Sequence, residues 1–188
     1  IYTGFGRTGR WFACEHSGIV PDLLCIGKGM SSGFPISACV GTAKVMDRWP
    51  ESRGEAIHTS TSLGNPAGCA AALASIAEIE RLGLVERAAD LEAPLSSMLQ
   101  ELRDAAGGRI GQVRGRGLMW GIECVDMTGA PSPSIAAAVV SGALRRGVIV
   151  LAAGPSCNVV SLSPSLTITL EQLRFGADVL RDAISELS

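Results

Sequence analysis

The amino-acid sequence predicts an α/β fold. Short, continuous apolar runs flanked by glycine or proline are typical of strands that are buried on both faces, and residues 23–26 form such a run. Longer segments repeat apolar side chains every three or four residues and carry capping residues, which is typical of amphipathic helices. Both kinds of segment alternate along the 188 residues, and this alternation favours an α/β protein.

The first third of the chain is predicted to contain two strands and a short helix. The strands cover residues 23–26 and 36–40, because each is a short apolar run that begins shortly after a proline. The helix covers residues 43–49 and ends before Pro50, since the residue that precedes a proline disfavours helical geometry.

A long, Ala-rich helix is predicted next, over residues 67–82. Asn65 can cap it, Pro66 suits the first helical position, and Gly83 follows the last turn. A second helical pattern then follows, which Pro94 should kink or split. Its apolar positions lie three or four residues apart: Leu84, Ala88, Leu91, Leu95, Met98, Leu99 and Leu102.

The C-terminal half is predicted to be an α+β unit. Its strands cover residues 110–113, 118–125, 148–151 and 158–162, the first two being separated by Gly115 and Gly117. One helix covers residues 134–146. The last helix opens with a capping box of Thr169 and Gln172, with Leu173, Leu180, Ile184 and Leu187 along one face. A domain boundary is expected near Gly83, which divides the chain into residues 1–82 and 83–188.

The composition excludes several classes of protein. A net charge of −2 and a pI near 5.7 provide no basic field for nucleic acid or anionic membranes. Charged residues make up 18%, apolar residues 47%, and the mean hydropathy is +0.31, which is the reverse of a disordered composition. The apolar runs are too short to span a membrane.

The six cysteines are widely scattered, at positions 14, 25, 39, 69, 124 and 157. The absence of a CxxC pair and of a Cys/His cluster argues against a zinc site and against a disulfide scaffold. Reduced cysteines that serve as small apolar side chains are expected, and with them a cytoplasmic location.

Two glycine-rich segments resemble nucleotide or anion sites. Residues 4–9 match GxGxxG, but no amphipathic helix follows them, so a structural loop is favoured over a dinucleotide site, which stays an alternative. Residues 114–117, Arg-Gly-Arg-Gly, could bind an anion but are interpreted as mainly structural.

Residues 58–66 combine hydroxyl groups with a helix start, which suits a phosphate, although ordinary capping is favoured. His58 has no nucleophile at a recognisable spacing, so a hydrolase triad has no support.

Lys28 is the most informative single residue. It and Lys44 are the only lysines, and Lys28 follows a predicted buried strand and lies between two glycines. Ligands of open α/β sheets bind beyond the carboxyl ends of strands. A lysine that is removed from water becomes a nucleophile toward carbonyls. On spacing alone, a Schiff-base lysine and an ordinary loop lysine fit about equally well. Lys44, in the short helix, is interpreted as a solvated surface residue.

Taken together, these segments resemble class III aminotransferases, which are pyridoxal-phosphate enzymes of fold type I. The resemblance extends through essentially the whole chain to residues 159–166. Its motifs occur in the family's order: residues 3–9, Pro21-Asp22 leading to Lys28, Gly33-Phe34-Pro35, residues 61–66, and residues 114–119. It implies that residues 1–82 are the C-terminal part of the large cofactor-binding domain and that residues 83–188 are the small domain.

The resemblance also implies roles for individual residues. Lys28 corresponds to the lysine that forms the internal aldimine with pyridoxal 5′-phosphate and then moves the proton between substrate and cofactor. Thr61 matches the residue that contacts the cofactor phosphate of the neighbouring subunit, so a homodimer is the minimal active unit. Ile1 matches the aliphatic residue that packs on the pyridine ring. Tyr2 replaces a common glutamine beside the cofactor's 3′ oxygen, where a phenol can also donate a hydrogen bond.

Two departures from the family pattern matter. The aspartate that protonates the pyridine nitrogen, and the upstream half of the fold, would precede Ile1 in the family, so the chain is expected to be the C-terminal part of a longer protein. Ser161 also stands where many relatives carry an arginine that pairs with a substrate carboxylate. The amino donor is therefore expected to be an amine, or to have its carboxylate held elsewhere.

The resemblance favours the first of three functions, and the other two stay as alternatives. The first is transamination between an amine or amino acid and a keto acid, in two half-reactions of a ping-pong cycle that share Lys28. The second is racemisation, epimerisation or decarboxylation of amino acids on the same fold, which uses the same lysine. The third is a non-catalytic α/β module that binds a nucleotide through its glycine loops.

Overall fold

The computed structural model describes residues 1–51, 53–54 and 61–187. They form two compact units. The first unit comprises residues 1–6 and 10–85, and the second comprises residues 7–9 and 86–188. Residues 7–9 therefore belong with the second unit, although they precede most of the first in the chain. In these ranges, no helix is both long enough and apolar enough to cross a membrane.

The first unit contains a two-stranded antiparallel sheet. Strand β1 (Leu23–Ile26) pairs with β2 (Ala38–Gly41), and Leu23 lies opposite Gly41. The prediction that β1 is buried on both faces is wrong for the described residues, because its four residues alternate between exposed and half-buried. The physical reason is that β2 covers one edge of β1, and little packs on one face of the pair.

Short helical segments and one long helix complete the first unit. A 3-10 turn covers Ala13–Ser17, and helix α1 covers Ala43–Met46, shorter than the predicted span of residues 43–49. Helix α2 covers Pro66–Arg81, as the capping residues predict. The Asn65 side chain accepts a hydrogen bond of 3.0 Å from the Ala67 backbone N–H, which satisfies one of the free donors of the first turn.

Pro94 splits the next helical pattern, as predicted. Helix α3 covers Leu84–Asp90 and α4 covers Glu92–Ala105. The break follows Asp90. In an unbroken helix the Asp90 carbonyl would accept a hydrogen bond from the backbone N–H of residue 94, but proline has no N–H and its ring crowds that carbonyl. Pro94 itself lies in the first turn of α4, where a backbone N–H would have no partner within the helix.

The second unit contains a four-stranded antiparallel sheet in the order β3-β4-β6-β5. Its strands are β3 (Ile110–Arg116), β4 (Met119–Cys124), β5 (Leu151–Ala153) and β6 (Val159–Leu162). Contrary to the prediction, Gly115 lies inside β3, so only Gly117 and Leu118 form the turn that joins β3 to β4. Strand β5 begins at Leu151. The prediction of a strand over residues 148–151 is therefore wrong for residues 148–150.

The displaced strand has a local cause. Helix α5 (Pro133–Arg145) ends in a left-handed Gly147, and the Val148 N–H bonds back to the Ala143 carbonyl at 3.0 Å. Val148, the first residue of the predicted strand, therefore takes part in ending α5 and does not begin a strand.

Helix α6 (Leu170–Ser185) has the predicted capping box of Thr169 and Gln172. Helices α4, α5 and α6 bury one continuous core against the sheet, in which Leu95, Leu99 and Leu180 are at most 1% exposed.

Candidate active site

Lys28 lies at the start of a 3-10 turn, Lys28–Ser31, that follows β1 after one residue. Its backbone has a φ of +48°, in the left-handed region that side-chain-bearing residues rarely occupy. Such a conformation costs on the order of 1–3 kcal/mol and persists only where the surroundings enforce it. Strain of this kind is concentrated at active sites and ligand-binding loops, which makes Lys28 a functional candidate on structural grounds.

Buried residues of the first unit hold this turn in place. Met30 and Ser31 are buried, and the Ser31 hydroxyl donates a hydrogen bond to the Phe34 carbonyl. Gly29 lies directly on the buried ring of Phe5, since a Cβ at Gly29 would come within 3.3 Å of the Phe5 Cβ. The turn that carries Lys28 therefore has little room to shift.

Helix α2 holds the same turn from a second direction. The Ser75 hydroxyl lies 2.8 Å from the Ser32 hydroxyl and 3.4 Å from the Gly29 carbonyl. Gly68, one turn into α2, packs on Ile36, and a Cβ there would come within 3.3 Å of that side chain. The contacts with Ser75 were not predicted from the sequence, because they join residues more than forty positions apart.

The chain start places two side chains beside Lys28. The Lys28 Nζ lies 4.9 Å from the centre of the Tyr2 ring, within the range of a cation–π contact. The Ile1 Cγ2 lies 3.8 Å from the position that a Cβ on Gly27 would take. The structure thus brings Ile1, Tyr2 and Lys28 together in the first unit.

Lys28 is exposed in this chain, as are Ile1 and Tyr2. Exposure alone leaves both interpretations of Lys28, a Schiff-base lysine and an ordinary loop lysine, as they stood from the sequence. Beside Ile1, Phe12 and Leu24 lies a cavity of about 170 Å³, below the roughly 300–1,000 Å³ that is usual for small-molecule sites. Lys28 supplies an amine, and Ile1 and Tyr2 supply an apolar wall on one side of it. These three residues do not enclose a cofactor.

Thr61 lies in another part of the first unit. It is exposed in the turn that leads through Gly64 to the Asn65 cap of α2. His58, Thr59 and Ser60, which the sequence grouped with it as a hydroxyl-rich phosphate candidate, lie outside the described residues. The part of this segment that is described shows ordinary capping by Asn65.

Ser161 lies in the second unit, near the middle of β6. Its backbone pairs with Gly121 of β4 on one side and Leu151 of β5 on the other. Its side chain is partly exposed. The two neighbouring strands fix its direction, so this hydroxyl is held on a rigid sheet and not on a loop.

The glycine loops pack backbone against backbone, which supports their structural interpretation. Gly117 has a φ of +53°, and a Cβ there would lie 2.5 Å from the Thr8 carbonyl carbon. A Cβ on Gly9 would come within 2.9 Å of the Ala89 Cα. The Arg7 guanidinium donates to the carbonyls of Leu118 and Pro164. These glycines allow close packing within the second unit, which argues against a nucleotide loop.

Both arginines of the Arg-Gly-Arg-Gly segment already have acidic partners. Arg114 lies 2.9 Å from Glu123, and Arg116 lies 3.2 Å from Glu92. The other Glu92 oxygen accepts a 2.7 Å hydrogen bond from the Gly117 N–H. This segment is therefore part of the packing of the second unit. Within the described residues, no cluster of three potential metal ligands occurs.

The chain is similar to known proteins over nearly its whole length. The family described as aminotransferase class-III matches residues 1–184. The 4-aminobutyrate aminotransferase of Mycobacterium leprae is 45% identical over 185 residues, which are 96% of this chain and 40% of that protein. The leucine/methionine racemase of Thermococcus litoralis is 40% identical and matches 100% of this chain and 41% of its own length.

A solved structure shows the same fold. The phospholyase from Arthrobacter in complex with phosphoethanolamine superposes with a TM-score of 0.90 and 29% identity, over 100% of this chain and 44% of that chain. This chain therefore spans about two-fifths of the length of the curated relatives that it matches.

Proposed function

Since the chain belongs to the class III aminotransferase family, with its fold type I α/β architecture, we propose that it is part of an enzyme that transfers amino groups. The proposed reaction moves an amino group from an amine or amino acid to a keto acid in two half-reactions. The observation that carries the proposal is Lys28, an amine held in a strained backbone conformation at the end of β1.

Pyridoxal 5′-phosphate is the cofactor that this family implies, and the chemistry of the residues around Lys28 fits it. When bound, its ring supplies a sink for negative charge at the substrate's Cα. A primary amine on a fixed turn is the group that such a carbonyl cofactor requires from a protein. Lys28 would hold the cofactor. Its amine would then accept the proton from the amine-bearing carbon of the donor in one half-reaction and deliver a proton to the former carbonyl carbon of the keto acid in the other.

The neighbours of Lys28 have proposed positioning roles. The Tyr2 ring, whose centre lies 4.9 Å from the Lys28 Nζ, contacts the amine and limits its directions. Ile1 offers an apolar surface on which the cofactor ring can pack. Ser75 fixes the turn from α2, so that the amine is presented from a rigid support.

A homodimer with active sites at its interface is the proposed assembly. Thr61 would reach the cofactor phosphate of the neighbouring subunit, and its exposure on this chain agrees with a role outside its own unit. The division into a large-domain part, residues 1–82, and a small domain, residues 83–188, belongs to the same proposal. A cytoplasmic location is proposed because all six cysteines are free thiols.

Ser161 is the proposed determinant of the amino donor. A serine hydroxyl cannot form the bidentate pair with a carboxylate that an arginine forms. Simple amines, or donors whose carboxylate is held by another residue, are therefore proposed. A Ser161→Arg variant should shift the preference toward carboxylate-bearing donors. Better turnover of α-amino acids than of simple amines by the unaltered protein would contradict this assignment.

Net amino transfer tests the main proposal. The full-length protein, supplied with pyridoxal 5′-phosphate, an amine donor and pyruvate, should produce alanine. Replacement of Lys28 by alanine should lower the rate by at least about 100-fold, because both proton transfers lose their acid and base. Lys44→Ala is the matched control, since Lys44 is also exposed and should leave the rate unchanged. Equal rates in the two variants would contradict the role of Lys28.

Racemisation is the second candidate, because a relative that is 40% identical over the whole chain is a leucine/methionine racemase. The two reactions differ in whether the amino group leaves the substrate. Loss of optical activity from a single amino acid without a keto acid, together with no net transfer to pyruvate, would favour racemisation over transamination.

A further inference from the structure

Two polar residues share one row across the four-stranded sheet, Arg114 of β3 and Ser161 of β6. In the register, Arg114 lies opposite Gly121 of β4, and Gly121 lies opposite Ser161. Residues that lie opposite in an antiparallel pair point to the same face of the sheet. Neighbouring strands are about 4.7–4.9 Å apart, so the backbones of Arg114 and Ser161 are separated by roughly 9–10 Å.

This row points away from the core of the second unit. The adjacent row consists of Val113, Ile122 and Val160, which are all buried. Because consecutive strand residues point to opposite faces, the Arg114 and Ser161 side chains lie on the other face. Their direction follows from the register within the second unit, and it does not depend on how much of this face further protein covers.

Gln112 and Glu123 hold the Arg114 guanidinium by one nitrogen. The Arg114 Nη1 donates to the Gln112 Oε1 and to the Glu123 Oε2, both at 2.9 Å. Since Glu123 is on β4, the guanidinium lies between β3 and β4, on the side of Arg114 that is nearer to β6. Both hydrogen bonds that the guanidinium makes to described residues use Nη1. Its Nε and Nη2 therefore keep two parallel donors, which is the arrangement that binds a carboxylate in a bidentate pair.

Gly121 leaves the position between Arg114 and Ser161 without a side chain. Among the described residues, a Cβ there would meet one atom within 4 Å, the Val159 Cγ1 at 2.9 Å. About one and a half strand spacings, roughly 7 Å, separate the guanidinium from β6. The Ser161 hydroxyl has no hydrogen-bond partner in the part of the chain that the structure describes. A carboxylate that accepts bonds of about 2.7–2.9 Å from both sides fits such a gap.

The proposed reaction requires a site of this kind, because a keto acid carries a carboxylate whatever the amino donor is. Ser161 alone offers a single neutral hydroxyl. We propose that Arg114 binds the carboxylate of the keto acid, and of the amino acid formed from it, with Ser161 as a second donor across Gly121. Arg116 is outside the row, since it lies opposite Met119, which has no partner on β6. The identity of the substrate rests on the proposed aminotransferase function.

Propionate measures this site without turnover, because it has the carbon chain of pyruvate but no carbonyl that reacts. Full-length protein loaded with pyridoxal 5′-phosphate is titrated with propionate by isothermal titration calorimetry. Arg114→Gln should raise the dissociation constant about 10-fold or more, because the charged hydrogen bonds to the carboxylate are lost. Arg116→Gln is the matched control, an arginine of the same strand and face, and should leave the constant unchanged.

Glu123→Gln separates a carboxylate site from an ion pair that only stabilises the sheet. The glutamine keeps an oxygen that accepts from the Arg114 Nη1, but it removes a negative charge beside the incoming carboxylate. Glu123→Gln protein should bind propionate as tightly as the unaltered protein, or up to about 5-fold more tightly. Equal losses of affinity in the Glu123 and Arg114 variants, or no loss in Arg114→Gln, would overturn the proposal.

The double variant Arg114→Gln/Glu123→Gln covers the case in which Arg114→Gln protein folds poorly, because it leaves no unpaired carboxylate. It should bind propionate at least about 10-fold more weakly than Glu123→Gln protein. Equal affinities of these two proteins would overturn the role of Arg114.

Turnover separates this proposal from the function on which it rests. With isopropylamine and pyruvate, Arg114→Gln should raise the KM for pyruvate and leave the KM for the amine unchanged. An unchanged KM for pyruvate would refute the carboxylate site alone. Failure of the unaltered protein to transfer amino groups would refute the proposed function, and the propionate titrations would still decide whether Arg114 binds a carboxylate.

Discussion

The two units of this chain differ in how completely they bury their apolar side chains. In the second unit, Leu99, Leu118 and Val160 are fully buried between three helices and a four-stranded sheet. In the first unit, Leu23 and Val40 of the two-stranded sheet are each 51% exposed, and Leu73 of α2 is 70% exposed. The second unit has its own core, whereas much of the first unit's apolar surface is uncovered in this chain.

The proposed cofactor lysine and the larger hydrophobic core lie in different units. The residues with a proposed role at the amine, Lys28 and Tyr2, lie in the first unit, where the backbone around Lys28 is strained. The second unit holds the larger core and tight glycine contacts. Large apolar patches on a surface usually contact further protein, which agrees with a chain that matches about two-fifths of its relatives' length.

The largest expected effect compares a core leucine of each unit. Leu99→Ala should lower the free energy of unfolding of the second unit by about 2–5 kcal/mol, because it leaves a cavity among fully buried side chains. Leu23→Ala should cost about 1 kcal/mol or less, since half of the side chain already contacts water.

Urea titration of the 188-residue chain measures both variants. Trp120 is buried in the second unit, so its fluorescence follows that unit once Trp11 and Trp49 are replaced by phenylalanine. Circular dichroism of the same samples follows the whole chain. A cost for Leu23→Ala equal to that for Leu99→Ala would remove the contrast between the units.

A smaller effect tests whether residues 7–9 belong with the second unit. Gly117→Ala combines a left-handed backbone, which costs about 1–2 kcal/mol, with a collision against the Thr8 carbonyl carbon. Gly129→Ala is the matched control, because Gly129 is also left-handed but faces open space. Thermal unfolding should show a clearly larger loss for Gly117→Ala. Equal losses would mean that the contact with residues 7–9 contributes nothing to stability.

The smallest effect is a pH dependence of the second unit. Burial, and to a lesser degree the Glu123 charge, raises the pKa of the Cys124 thiol to about 11 from 9.0. The unfolded chain therefore loses this proton first, and the folded state becomes less stable as the pH rises from 9 towards 11. In Cys124→Ala protein, the decline in melting temperature over this range should be smaller. An unchanged decline would assign it to other groups.

Local chemistry made the helices predictable. The Asn65 cap with Pro66 defined the start of α2, and the Thr169–Gln172 capping box defined the start of α6, because these interactions span at most three residues. Pro94 splits its helical pattern for an equally local reason. The strand predicted over residues 148–151 was wrong because the end of α5 uses Val148 as a backbone donor, which hydropathy does not reveal.

The candidate site was only partly predictable. Sequence order and glycine neighbours pointed to Lys28, but its left-handed backbone and its contact with Tyr2 depend on the folded turn. The pairing of Leu23 with Gly41 follows from strand register, which one sequence does not fix. The role of Ser75 requires the packing of α2 on the turn. Contacts between distant segments are the part that propensity and spacing leave open.

Chemical trapping tests the central claim, that Lys28 is the residue that carries the cofactor. Full-length protein loaded with pyridoxal 5′-phosphate is reduced with sodium borohydride, digested, and examined for the mass of the reduced cofactor on each lysine. The adduct is expected on Lys28, and Lys44 is expected to remain unmodified. An adduct on Lys44, or on a lysine elsewhere in the full-length protein with Lys28 unmodified, would contradict it.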